Sequence, residues 1–460
     1  VDVKFSGEYY ATGMYLDKTN VNKNVTFEDV PGVEGDLVLK EGSSTAFYYQ
    51  RLRLNTTFVV SPGLIFITRA DIMERAWGSS RYAPASGIGA QDTTLSSGTR
   101  AENENIAFDL AYVSYTSPIG IFLAGYQIDS AWGTVFGDNS NPTPKIGYIA
   151  KVGNLVLGLQ TGKNPDGERS YGAFNGSVKD ATDRDNNFYT GFFRYGWKGG
   201  EAGLLLKYID NRTAREDVDP IYGLYPFGKT TKTLSSLPYI KAQLGPVALQ
   251  AEVIWTYGKA KFEDEAKATA NMFFGNDEID VNTLSAWIDA TADFGMVYAG
   301  GTLAYLSGDD YASKDKNEGA AGGGYDWNPC MIMFNNDLTY WVGSQGGYPY
   351  LTSTGVKYTS NGSPMTNAYF AQLRGGLRPV EKLDIMASVS YAKADKTPAA
   401  YWDSREYGWE VDLTGTYKIT NNLSYMLGAG YWFVGDFYKG QTTEDVNDNF
   451  MVINKLTLTF

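Results

Sequence analysis

Charged side chains in this chain recur at every second position, with an apolar or small residue between them. Arg51 and Arg53 flank Leu52, Arg69 and Asp71 flank Ala70, and Glu410 and Asp412 flank Val411. Two nearby carboxylates could serve glycoside hydrolysis. Two apart on one strand face, they also suit a charged wall, and the wall is the reading adopted here. Other chemistry is bounded by what the chain lacks. None of the 460 residues is His, so His-dependent acid–base catalysis, nucleophile activation and metal ligation are excluded. Asp183, Asp185 and Asn187 imitate the start of a calcium loop, but Phe188 and Arg194 stand where that loop needs Gly and Glu. The single cysteine, Cys330, cannot pair within the chain and sits in the apolar run PCMIMF. It reads as a small buried hydrophobe. No Gly-rich phosphate loop precedes a helix. The formal charge of -13 opposes a nucleic-acid partner. No catalytic residue, metal site or cofactor is expected, and the chain does not read as an enzyme.

Period-two alternation means strands with one apolar and one polar face. Such segments cover 1–15, 45–60, 64–76, 105–116, 121–132, 145–152, 155–163, 187–197 and 202–212. They continue at 235–244, 247–260, 282–293, 296–307, 367–378, 382–394, 405–419, 423–436 and 450–460. Tight connections such as Ser61-Pro62-Gly63, Ser117 to Gly120, Gly153-Asn154 and Gly245-Pro246 alternate with long polar loops. Gly, Pro and Asn supply the turn geometry. Short turns alternating with long loops predict an all-β, antiparallel, up-and-down transmembrane β-barrel of about 18 strands, with 16 or 20 as alternatives. Closure removes the open edges that hydrocarbon does not tolerate. Aromatics make up 15% of the chain, with 34 Tyr and 10 Trp, as interfacial girdles require. Mean hydropathy is -0.29, yet a barrel hides from hydropathy because its two faces alternate. With no linker or composition break, residues 1–460 read as one barrel domain.

The apolar parity gives a lipid face. It includes Leu52, Leu54 and Phe58; Ile106, Phe108, Leu110 and Tyr112; and Tyr407, Trp409, Val411 and Leu413. The other parity gives candidate pore-lining residues. Those on the first half of the barrel are Arg51, Arg53, Arg69, Asp71, Asp109, Asp129, Lys151 and Arg194. Those on the second half are Lys207, Lys241, Glu252, Asp289, Arg374, Arg378, Glu410 and Asp412. The two signs nearly balance but are not evenly mixed. Arg51, Arg53 and Arg69 lie on neighbouring strands and are expected to form a basic wall. Lys145, Lys151, Arg194, Lys207 and Lys241 populate 145–244, while Glu252 and Asp289 begin an acidic sector. Opposed walls set up a field that would select small polar solutes.

The longest loop, 308–366, holds Trp327, Met331, Ile332, Met333, Phe334, Tyr340 and Trp341. That content is too apolar for a loop in water, so it is a candidate constriction or lid. The stretch 77–104 is polar and rich in Ser and Gly, and is expected to be mobile. Residues 263–274 read as a short loop helix.

The chain ends on Leu456, Leu458 and Phe460 alternating with Lys455, Thr457 and Thr459. This ending resembles the C-terminal assembly signal of outer-membrane β-barrels, with Thr457 where the common form has Gly. Across its length the chain resembles a Gram-negative outer-membrane porin. Its strand count and Arg-bearing lumen are similar to the alginate-export-like porin family and to major porins of metal-reducing bacteria. The resemblance implies passive diffusion of small hydrophilic solutes or ions through the channel. Two alternatives stay open: an export channel for an anionic polysaccharide, and a structural or adhesive barrel. It also implies partners: outer-membrane lipids, lipopolysaccharide, the barrel-assembly machinery acting on the last strand, and small polar solutes. A homotrimer and a single-chain barrel are both open. The implied location is the outer membrane, after export with a cleaved signal peptide; Val1 enters a strand at once, as in a processed chain.

Overall fold

A computed structural model describes residues 1–24, 41–78, 106–129, 131–164, 183–215, 228–264, 266–320, 324, 326–343, 365–398, 402–440 and 442–460. The sheet contains 19 strands. They are β1 (Asp2–Leu16), β2 (Thr45–Ser61), β3 (Leu64–Ala76), β4 (Ile106–Ser117), β5 (Gly120–Asp129), β6 (Asn141–Val152) and β7 (Leu155–Lys163). Next come β8 (Asn186–Trp197), β9 (Gly200–Asn211), β10 (Lys229–Leu244), β11 (Val247–Phe262), β12 (Glu278–Asp293) and β13 (Val297–Leu306). The last are β14 (Lys316–Asn317), β15 (Ala368–Val380), β16 (Leu383–Ala394), β17 (Glu406–Lys418), β18 (Leu423–Val434) and β19 (Asn449–Thr459). The two-residue β14 pairs in parallel with the end of β12 and belongs to a loop. The other 18 strands pair antiparallel with their chain neighbours, and β1 closes the ring against β19. The molecule is a closed, antiparallel, 18-stranded barrel. Each segment predicted from alternation is one of its strands. Several run longer at the loop rim, and β10 and β12 start at Lys229 and Glu278. Helix α1 (Lys267–Phe274) occupies the predicted loop helix. A further helix, α2 (Asn336–Val342), lies in the long loop.

All the tight turns lie at one rim and the long loops at the other, because every hairpin partner is antiparallel. The seam is closed by the chain's last residue. Gly7 and Phe460 exchange backbone hydrogen bonds at 2.8 and 3.1 Å. A Cβ on Gly7 would lie 2.7 Å from the Phe460 ring, so only Gly admits that ring.

The outer face is an apolar band. Phe108, Leu159, Leu373 and Leu413 are 69%, 66%, 74% and 55% exposed. Apolar exposure on this scale suits hydrocarbon rather than water. Three bulges shift the alternation and correct the sequence reading. In β3 the register slips around Met73, which has φ 53. Glu74 then faces inward, while Arg75 stands opposite outward Gln50. In β4 the register slips at Asp109, so Leu110 and Tyr112 turn inward and Val113 and Tyr115 face outward. In β17 Gly408 sits at φ 114. Its bulge sends Tyr407 inside, fully buried, while Trp409 faces out. A bulge places two residues against one, and alternation alone cannot show that. The stretch 77–104 lies outside the described residues from 79 on, as does 344–364 of the longest loop.

Candidate functional site

Two loops enter the lumen and meet. The first, residues 131–140, follows β5. The expected strand 121–132 stops at Asp129, and Trp132 leaves the wall. Thr134 donates to Glu252 on β11 through its backbone N–H at 2.8 Å and its hydroxyl at 2.6 Å. Phe136 is fully buried and stacks on Trp287 of β12 with ring centroids 5.8 Å apart. The second is the 326–343 part of the longest loop. Successive N–H groups of Ile332 and Met333 donate to the two oxygens of Glu410 on β17, at 2.7 and 2.6 Å. Gln372 on β15 donates to the Pro329 carbonyl at 2.6 Å. Trp341 stacks on Tyr49 of β2 at 4.3 Å. The loops join where Asp326 N–H donates to the Asp138 carbonyl at 3.1 Å and Trp327 packs edge-on to Phe136 at 5.2 Å. Their apolar side chains form one buried cluster with the inner faces of several strands. Burying those rings supplies the favourable term, at ~25 cal/mol per Å². Wall carboxylates then fix the backbone of each loop.

The join carries charge. Asp138 accepts from Trp132 N–H at 2.7 Å. Burial, with Asp326 close by, pushes its carboxyl up to about 6. Cys330 is buried beside Glu410 and Asp412, the three ligating atoms lying within 4.8 Å of one another. Both Glu410 oxygens already accept backbone N–H groups, so this cluster anchors the loop and does not read as a metal centre. Burial raises the Cys330 thiol well above its usual range, which leaves it an inert hydrophobe.

The sequence-predicted charges all lie on strands of the wall, but they do not act alike. Arg53 holds Asp71 through two hydrogen bonds of 2.7 and 2.6 Å. Arg69 pairs with Asp109 at 3.0 Å. Arg51 lies 3.6 Å from both Glu8 and Glu74. The expected basic wall on β2–β4 is therefore a mixed network in which each arginine faces a carboxylate. Arg374 pairs with Asp289 at 2.7 Å. Arg378 bridges Asp293 and Asp384 at 2.9 and 3.0 Å. Asp412 accepts from Ser388 at 3.3 Å.

The wall from β6 to β10 differs. Asp129 is shared by Lys145 at 3.4 Å and Lys207 at 2.5 Å. Nearer the turn rim, Glu201 is shared by Arg194 at 3.4 Å and Lys241 at 4.0 Å. Lys151 is exposed beside them, with no acid paired to it among the described residues. Cations outnumber acids here, as the sequence sector at 145–244 suggested. Sequence reasoning missed the inward course of 131–140. Its signal was the pair Trp132 and Phe136 in a stretch too short to bury them locally.

No protein-family model matches the chain, and no curated protein matches it. Among solved structures, it is similar to the outer membrane protein opdK from Pseudomonas aeruginosa, at 12% identity and TM-score 0.47, covering 99% of each chain. It is also similar to the outer membrane channel DcaP of Acinetobacter baumannii, at 11% identity and TM-score 0.42, covering 100% of this chain and 97% of that one. Salmonella typhi OmpF aligns at 12% identity and TM-score 0.40, over 100% and 97% of the two chains. At such identities and scores, these likenesses add nothing to what the chain's own strands show.

Proposed function

We propose that the protein is an outer-membrane porin, a passive channel for small hydrophilic solutes or ions, narrowed by its two inward loops. One observation carries this reading: a closed barrel with an apolar outer band encloses a charged inner face, and two loops meet across the lumen. Such loops narrow a passage, and the charges beneath them select what enters. The inward residues, Lys151, Arg194 and Lys241 foremost, line that passage. The paired network on β2–β4 favours this reading over export of an anionic polysaccharide, which needs a continuous basic lumen. The outward apolar band fits outer-membrane lipid, with lipopolysaccharide against the loop half.

The test is single-channel recording in planar bilayers. Intact protein should give discrete conductance steps. A variant with 326–343 replaced by a short Gly/Ser linker should conduct more. A folded barrel that never conducts would overturn the reading and leave the structural or adhesive one. Unchanged conductance in the folded linker variant would show that this segment does not narrow the passage.

A further inference from the structure

The β6–β10 wall is layered. Near the turn rim lie Lys151, Arg194 and Lys241; Arg194 and Lys241 share the carboxylate of Glu201, and Lys151 stands beside them. Glu201 also accepts from the Tyr239 hydroxyl at 3.0 Å, so its charge is further engaged. Arg194 and Lys241 keep 47% and 38% of their side chains exposed, so they remain open to a solute. One step higher on the same inward face comes an aromatic shelf. Phe192 lies across Gly158, where a Cβ would run into its ring. Trp132, from the first inward loop, packs on Phe192 and on Tyr239, each at 5.2 Å between centroids. The floor beneath is Gly203, where a Cβ would lie 2.6 Å from Tyr239 and 2.9 Å from Trp132. Phe192 and Trp132 are only half-buried. Part of each ring is therefore open to a solute.

The two layers are one residue pair apart. Arg194 and Phe192 alternate on β8, so their inward side chains stand about 7 Å apart along the strand. That matches the span from the carboxylate of a one-ring acid to the far side of its ring. The cations exclude a neutral solute as the best fit. The shelf offers nothing to a bare inorganic anion, whereas a flat ring gains from stacking on it. The excess of cations gives a carboxylate a partner that Glu201 does not occupy.

We propose that this wall is a binding subsite for small organic anions with a flat apolar body. The carboxylate sits at Lys151 and Arg194, and the ring lies against Phe192 and Trp132. The proposal rests on the channel reading for its purpose, but the subsite can be tested apart from it.

The probes are sodium benzoate and sodium acetate. Each is titrated calorimetrically into the detergent-solubilised barrel, and each is used as the sole anion on one side of a bilayer for reversal-potential measurements. Intact protein should bind benzoate more tightly than acetate and pass it faster than its aqueous mobility predicts. Phe192→Leu keeps an apolar side chain but removes the flat ring. It should weaken benzoate about two- to tenfold, the range one aromatic contact is worth, and leave acetate unchanged. Lys151→Gln combined with Arg194→Gln should weaken both anions. Equal binding of the two anions by intact protein would overturn the proposal, as would unchanged benzoate binding in Phe192→Leu. Benzoate binding without conductance would support the subsite and sink the channel reading. Conductance without benzoate preference would do the reverse.

Discussion

The β2–β4 wall and the β6–β10 wall use the same basic side chains to opposite ends. On β2–β4 Arg51, Arg53 and Arg69 each meet a carboxylate from a neighbouring strand. Arg53 and Asp71 stand directly opposite in the register, and Glu8 stands opposite Arg53 on the β1 side. Asp71 keeps 6% of its side chain exposed, so this pair is largely desolvated. On β6–β10 Lys241 has an acid opposite it, Glu201, while Arg194 faces Gly203 and Lys151 faces Val156. Charge matched across a strand pair holds the wall together. Charge left without a cross-strand partner projects its field into the lumen.

That contrast is broken most directly by removing one partner from each wall. Asp71→Ala leaves Arg53 largely buried without its closest acid. It should cost about 3–5 kcal/mol of barrel stability. Lys151→Ala with Arg194→Ala should cost under about 1 kcal/mol, since both groups are exposed. Urea unfolding in detergent, followed by gel mobility, measures both; equal losses would erase the distinction between the walls.

Selectivity sharpens it. Lys151→Glu with Arg194→Glu should move the reversal potential toward cations in a low-salt gradient. The shift should shrink in 1 M salt, where the Debye length is ~3 Å. Neutralising Arg51 and Glu74 together should move it far less, because a matched pair is removed. A larger shift from that matched pair would reverse the assignment of the two walls.

A smaller effect concerns the loops above both walls. Glu410→Ala removes both acceptors of the Ile332 and Met333 N–H groups. It should raise mean conductance and add rapid flicker. A trace indistinguishable from the intact protein would show that the apolar cluster alone holds 326–343.

The smallest effect is with pH. Asp138, with Asp326 nearby and Glu252 and Lys241 at longer range, titrates at about 6 when the loops are joined, above its ordinary 3.8. The joined state therefore favours the proton. Its charge opposes the join fully above about 6 and is relieved as pH falls toward 4. Open-channel current should thus be lower at pH 5 than at pH 7.5. Asp138→Asn should hold the acid value across that range; a variant retaining the full pH response would clear Asp138 of the effect.

The strands are legible in the sequence because period two survives wherever one face is apolar and the other wet, as in Val247, Leu249, Ala251 and Val253 against Gln250 and Glu252. The turns are legible from Gly and Pro. The bulges at Met73, Asp109 and Gly408 are not, since an added residue leaves composition unchanged and flips only the side chains beyond it. Alternation therefore puts Leu110, Tyr112 and Tyr407 on the wrong face. The apolar content of 308–366 announces burial but not its partners. Which carboxylate faces which arginine depends on register across strands distant in sequence, and alternation within a strand carries none of that information.

The seam between β1 and β19 has a kinetic consequence. Lys18 and Asn449 hydrogen-bond across it at 2.9 Å, 431 residues apart in the chain. Joining ends that distant costs roughly 5 kcal/mol of chain entropy before any seam contact forms. Every hairpin can zip locally, but the ring gains closure only at the last step. The docking of the final strand on the first is then the step that carries this closure cost, and Phe460 against Gly7 marks its completion. Substituting Gly7 would press a Cβ to 2.6 Å from the Arg53 carbonyl oxygen and 2.7 Å from the Phe460 ring, so it would loosen the closed seam and speed its opening.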